Sequence, residues 1–168
     1  MAEQTENSQL ESVAFQDLIP GNHCFGCGPA NAGGLRIKSR WLDADRAVCY
    51  FVPSPEHSAG PEHVLNGGII ATLIDCHSIC TAIANHYREE GRPIGSEPAV
   101  WCVTGGLEIR YLAPTPLAGT VMLLAKVRSR SDKKTIIDCT VSSSDTLTAE
   151  ASVVAIRVPP EWRTAGPL

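Results

Sequence analysis

Residues 69–84 constrain the fold more than any other part of the chain. They read Ile-Ile-Ala-Thr-Leu-Ile-Asp-Cys-His-Ser-Ile-Cys-Thr-Ala-Ile-Ala, with no proline for about 20 residues, which is helix length rather than strand length. Asn66 precedes the run and is a favoured N-cap, while Arg88, Glu89, Glu90, Gly91 and Pro93 close it. The pattern predicts a helix over residues 66–87. The apolar run is too short for a bilayer span and contains Asp75 and His77, so the expected cover is protein and the chain is read as soluble, with no membrane partner.

The segments around this helix alternate with period two. Residues 35–41 and 46–52 read as strands joined by a turn at Asp43, Ala44 and Asp45. After a Pro-, His- and Gly-rich loop over 53–65 and the helix, residues 101–112, 119–130, 135–142 and 147–158 read as four more strands. Short polar turns join the last three into a meander. One apolar helix among antiparallel strands is an α+β arrangement, and a curved sheet wrapped around the helix is the simplest way to cover it. The chain has 168 residues and no internal repeat, which fits one domain over 21–160, a flexible or short-helical lead-in over 1–20, and a tail over 161–168. The net charge of −4 gives none of the basic excess expected of a nucleic-acid binder. The seven cysteines are odd in number, lie mostly in apolar runs and make no disulfide framework. With a polar, acidic start that does not read as a signal peptide, they suit a reducing cytoplasm.

Asp75 is the candidate catalytic group. On a helical wheel it shares a face with small residues, Gly68, Ala71, Thr72, Ser78 and Ala82, opposite Ile70, Leu73, Cys80 and Ala84. An ionised acid there is costly unless it is paired, to a strand hydroxyl or an arginine, or used. Gly67 and Gly68 follow the N-cap, where the first amides lack helical partners and favour negative charge. They either merely open a turn or form an oxyanion site from backbone alone. Eight residues separate Gly67 from Asp75, roughly 12 Å at ~1.5 Å rise per residue. Both would need to reach one carbonyl within ~3 Å. Within one helix they cannot, so if both act on one substrate they come from two copies of the chain.

The stretch Asn66-Gly67-Gly68 through Asp75 resembles the helix start of hotdog-fold thioesterases of the phenylacetate-pathway (PaaI-like) and THEM groups, where a His-Gly-Gly leads to an Asp seven residues after the second Gly. His23-Cys24-Phe25-Gly26-Cys27-Gly28-Pro29 with Gly34-Leu35, and Ile109-Arg110-Tyr111-Leu112-Ala113-Pro114, resemble the same group, and the likeness spans about residues 22–158. It implies a curved antiparallel sheet of five or six strands around a central helix, a homodimer often paired into a homotetramer, and acyl-CoA thioesters as substrates, with no cofactor. Residue by residue, it implies Asp75 as base or nucleophile, Gly67 as amide donor to the thioester oxygen, and Thr104 as the Ser or Thr that helps position water. Two positions depart from the group. Asn66 stands for the His and can cap the helix or donate from its amide but cannot carry a proton, and Gly60 stands where some relatives hold water with Asn or Gln.

Other candidates surround this core. His57 and His63 flank the site as substrate-loop residues, whereas His77 lies opposite Asp75 and is expected to be structural. Gly105 and Gly106 inside a strand suggest a bulge or a close backbone approach, beside the acyl pocket. Arg128, Arg130, Lys133 and Lys134 gather at one hairpin tip, either as a solvated turn or as partners for the phosphates of coenzyme A. Cys24-x-x-Cys27 beside His23 could suggest zinc or redox chemistry, but a structural zinc needs four ligands and no second pair has matching spacing. The expected reading is a structural turn and no metal. Two rivals to hydrolysis are a non-catalytic acyl-CoA binding protein and an enoyl-CoA hydratase of the same fold. The Gly-Asp-x-Asn-Pro-x-x-His segment of the latter does not occur here.

Overall fold

The computed structural model describes residues 13–163. The expected lead-in over 1–20 and tail over 161–168 therefore lie partly outside the described residues. Six strands, β1 (Ser39–Trp41), β2 (Arg46–Phe51), β3 (Trp101–Tyr111), β4 (Val121–Arg130), β5 (Lys134–Ser143) and β6 (Thr146–Val158), accompany one long helix, α1 (Gly67–Glu89). They form a single sheet in the order β1-β2-β4-β5-β6-β3, with every pairing antiparallel. The β5–β6 hairpin turns on Ser144 and Asp145, at φ 48° and 63°. Two successive positive φ values match the right-handed twist of the flanking strands.

The sheet curls over α1. Leu73 and Ile74 of the helix are fully buried, packed in one core with Leu123, Val141 and Val153 from β4, β5 and β6. A second cluster covers the C-terminal half of the helix, where Ile83 and Tyr87 meet Val100, Ala125 and Ile137. Each Val, Leu or Ile side chain so taken from water stabilises the fold by about 1.5–3 kcal/mol. The helix outruns the apolar stretch and reaches 23 residues, so by length and composition it could cross a membrane, contrary to the expectation that it is too short. Burial explains its composition: from Cys76 to Tyr87 it is covered nearly all round, including Ser78 and Ala82 on the face first assigned to Asp75.

The N-terminal segment is tied to the helix by a buried polar chain. The amide of Gln16 donates to Ser39 Oγ at 3.0 Å, and the Ser39 backbone N–H donates to Gln16 Oε1 at 2.8 Å. Ser39 Oγ lies 2.8 Å from His77 Nδ1, and His77 Nε2 lies 3.2 Å from the Ala47 carbonyl. A carbonyl can only accept, so Nε2 carries the proton and Nδ1 accepts from Ser39. Burial holds the imidazole neutral and pushes its pKa down to about 4. His77 is thus structural, as its place on the wheel predicts.

Candidate active site

Asp75 projects from α1 towards β3, where the Thr104 hydroxyl donates to its Oδ1 at 2.5 Å. Asp75 is half-buried and Thr104 exposed, so the pair sits where a cavity opens. Burial pushes the Asp75 carboxyl above the usual carboxylate range, the Thr104 hydroxyl pulls it back, and the nearby Cys27 sulfur adds to the upward push. No hydrogen bond to its Oδ2 is found among the described residues, which leaves that oxygen open to the cavity.

The bulge expected at the glycine pair aims Thr104. The register of β3 against β6 slips between Thr104 and Gly106. Thr104 opposes Ala155, while beyond the extra residue Leu107, Ile109 and Tyr111 oppose Val153, Ala151 and Ala149. The slip changes the parity, so Thr104 and these three residues all face the helix. A side chain at Gly105 would lie 2.6 Å from Ile156 Cγ1. Gly105 makes the bulge.

The cavity lies between α1, the start of β3 and the segment over residues 15–27 and encloses about 260 Å³. Its walls are mostly apolar, with Phe15, Ile79, Ile83, Ile94 and Trp101 among them, and Asp75 and Thr104 close the ring of lining residues. An apolar cavity with a few convergent polar groups is the usual form of a small-molecule site. One wall depends on the tight loop at 22–34. A Cβ on Gly28 would stand 2.4 Å from the Cys24 nitrogen and 2.5 Å from the Asn22 oxygen, both backbone atoms. Gly28→Ala is expected to destabilise the protein by about 1–3 kcal/mol through this overpacking, read as a lower urea midpoint at unchanged m-value.

The helix N-terminus forms a separate corner. Asn66 Oδ1 accepts from the amides of Gly68 at 2.7 Å and Ile69 at 3.3 Å, so Asn66 is the N-cap and the Gly68 donor is spent on it. The expectation of Gly68 as a substrate contact is corrected accordingly: its amide is occupied. The Gly67 amide has no acceptor among the described residues and is solvent-exposed. The Gly67 carbonyl accepts from Tyr111 Oη at 2.7 Å, which fixes the helix start against the far end of β3. The sequence assigns Tyr111 no role, because nothing in it couples positions 44 residues apart.

The remaining candidates divide between sites. His57 Nδ1 accepts from the Ser54 N–H at 3.0 Å, and the His57 carbonyl accepts from the Asn66 N–H at 2.9 Å. His57 therefore braces the loop behind the cap and does not line the Asp75 cavity. His63 is exposed and lines a shallow depression with Pro53, Glu62 and Leu117. Gly60 faces open space. The basic cluster belongs to the other end of the helix. Arg130 pairs with Glu89 at 3.4 Å in the last turn of α1, and Arg128 pairs with Asp138 at 3.0 Å. Of these four, Lys133 and Lys134 are exposed and have no side-chain partner among the described residues. Within one chain this tip is roughly 33 Å along the helix from Gly67.

No family model matches the chain. Among curated proteins it is similar to acyl-coenzyme A thioesterase THEM4 of Bos taurus, 29% identical over 121 residues, 71% of this chain and 44% of that protein. THEM4 of Xenopus laevis is 31% identical over 117 residues, covering 68% of this chain and 46% of the relative. The chain thus spans less than half the length of these relatives. Among solved structures, a thioesterase superfamily protein from Shewanella loihica PV-4 is 30% identical with a TM-score of 0.61, covering 78% of this chain and 98% of that one. A phenylacetic acid degradation-related protein from Ralstonia eutropha JMP134 shares the fold, at 22% identity and a TM-score of 0.62, over 76% of this chain and 89% of that one.

Proposed function

Because the chain belongs to the hotdog-fold thioesterase superfamily, we propose that it hydrolyses acyl-CoA thioesters to the free acid and CoA, at a site shared between two copies. The observation that carries this reading is the Asp75–Thr104 pair at the opening of an apolar cavity suited to an acyl group. Asp75 acts on the thioester carbonyl carbon, through a water held with Thr104 or directly. The developing oxyanion takes the unclaimed Gly67 N–H at the positive end of a helix. The Asn66 Nδ2 is not used by the cap, which draws on Oδ1, and can serve as a second donor.

The edge strand supports a site built across two copies. β3 pairs with β6 on one side only and is 11 residues long, against three for the other edge, β1. Long uncovered edges invite pairing with another chain. Leu107, Tyr111 and Leu112 are each 40–53% exposed along it. The helix runs antiparallel to β3, with Gly67 at the Tyr111 end and Asp75 at Thr104. If β3 pairs antiparallel with its copy about Leu107 and Glu108, Thr104 of one chain faces Tyr111 of the other. That register brings Asp75 of one protomer to the helix start of its partner and removes the 12 Å separation. The turn carrying Lys133 and Lys134 lies beyond the Trp101 end of the same sheet, since the Arg157 N–H donates to the Lys133 carbonyl and Val158 pairs with Trp101. In the dimer these lysines are placed to meet the phosphates of CoA. Seven free thiols suit a reducing compartment, and we place the protein in the cytoplasm.

A panel of acyl-CoAs with free-thiol detection tests the reaction. Stoichiometric thiol release is expected. Water addition to an enoyl-CoA without thiol release would assign a hydratase, and saturable binding without turnover would assign a binding protein. Either result contradicts hydrolysis.

A further inference from the structure

We infer that Cys24, Cys27, Cys76 and Cys80 form a binding site for a thiophilic d10 cation, Zn²⁺, which pins the 22–34 loop onto the central helix. The sequence holds one Cys-x-x-Cys pair and no second one of the same spacing. The fold supplies the second pair from α1, where Cys76 and Cys80 are four residues apart and so share a helix face.

The sulfurs converge. Those of Cys24, Cys27 and Cys76 all lie within 4.8 Å of one another, and Cys24 Sγ is 3.6 Å from Cys76 Sγ. Cys80 lies one turn further along the same helix face and lines the same cavity, so a change of its side-chain rotamer would bring it in as the fourth ligand. A tetrahedral zinc with ~2.3 Å bonds to sulfur sets its ligand sulfurs ~3.8 Å apart. The spacing of Cys24, Cys27 and Cys76 is already near that value, so ligation by these three asks for small side-chain movements only.

The backbone is shaped to bring the loop this close. A Cβ on Gly26 would stand 2.3 Å from Cys76 Sγ and 2.9 Å from Thr72 Cγ2. Glycine between the two loop cysteines is therefore what lets them lie on the helix. Asn22 holds the first of them, accepting from the Cys24 N–H at 2.9 Å, and its Nδ2 donates to Cys27 Sγ at 3.5 Å. An amide N–H aimed at sulfur is the kind of outer contact that supports a ligating thiolate. Each thiol that binds zinc releases its proton to solvent. Four thiols suit zinc rather than magnesium or calcium, which take oxygen.

The function of the ion follows from what it joins. Cys24, Cys27, Cys76 and Cys80 all line the cavity, and Cys76 follows Asp75 directly. A bound zinc would fix the cavity wall against the helix segment carrying the acid, in a structural role.

The test uses the full chain purified under reducing conditions, with metal content by mass spectrometry and replacement of zinc by Co²⁺ added as cobalt chloride. One metal per chain is expected, with the strong visible absorption of tetrahedral cobalt and a thiolate-to-cobalt charge-transfer band. Cys24→Ser, at an exposed position, is expected to lose the metal and the charge-transfer band while keeping the circular dichroism of the fold. Cys49→Ala, outside the cluster, is expected to keep one metal per chain. A reduced protein that takes up neither zinc nor cobalt, or a Cys24→Ser variant that binds metal as the parent does, overturns the proposal. Neither readout involves turnover, so these results stand apart from the fate of the hydrolase reading.

Discussion

Replacing Asp75 with asparagine is expected to lower kcat for the proposed acyl-CoA hydrolysis by about 10²–10⁴-fold, the usual worth of a positioned acid-base group. The substitution keeps the size of the side chain and its amide oxygen. Thr104 can therefore go on donating across the 2.5 Å contact that links helix and strand. What disappears is the carboxylate oxygen open to the cavity. The fold should survive because Asp75 belongs to neither apolar cluster. The expected pattern is loss of kcat with KM nearly unchanged, in a protein of parental Tm and oligomeric state. Parental turnover would remove Asp75 from the chemistry. Loss of folding would instead make its bond to Thr104 a structural one.

The second large effect is at a backbone atom. Gly67→Pro deletes a single N–H and is expected to lower kcat by about 10²–10³-fold, the cost of one lost oxyanion donor. Proline is well tolerated in the first turn of a helix, where its missing N–H would be unpaired in any case. The preceding residue must then be extended, and Asn66 already is, at φ −62° and ψ 132°. The cap is expected to persist because Asn66 Oδ1 draws on Gly68 and Ile69 and not on Gly67. Gly67→Ala is the control: a Cβ there meets Tyr111 at 3.6 Å, ordinary contact, and the N–H stays. Steady-state kinetics of the pair separate the donor from the mere presence of a side chain.

Much of this arrangement was legible because it rests on local pattern. The helix was expected over 66–87 and runs Gly67–Glu89, since an N-cap, an apolar run and a glycine stop are all local signals. The last four strands fall within two residues of their expected ends for the same reason. The first strand was expected over 35–41 but covers only Ser39–Trp41. The Leu35 and Ile37 amides are spent on the Phe25 and Gly26 carbonyls of the loop, and Arg36 takes φ 47°, which no strand permits.

The candidate site was legible only in part. Asp75 stood out because an acid in an apolar helix is conspicuous in one dimension. Thr104 came from resemblance, and its contact with Asp75 depends on a bulge whose register only the β3–β6 pairing sets. The surroundings of the basic cluster were not legible, because proximity along a hairpin says nothing of the acids opposite, Asp138 and Glu89, which pair with Arg128 and Arg130. The thiol cluster was missed because its halves follow different rules, a loop spacing of three and a helical spacing of four.

The central claim is that Asp75 of one chain works on a carbonyl held by Gly67 of its partner. Heterodimers of Asp75→Asn and Gly67→Pro chains, co-expressed with different tags and isolated by both, test it most directly. Each such dimer contains one site with both groups intact and one with neither. About half of the parental turnover per dimer is expected, although each variant alone is nearly inactive. A heterodimer no more active than the two inactive variants would contradict the account and place both groups within a single chain.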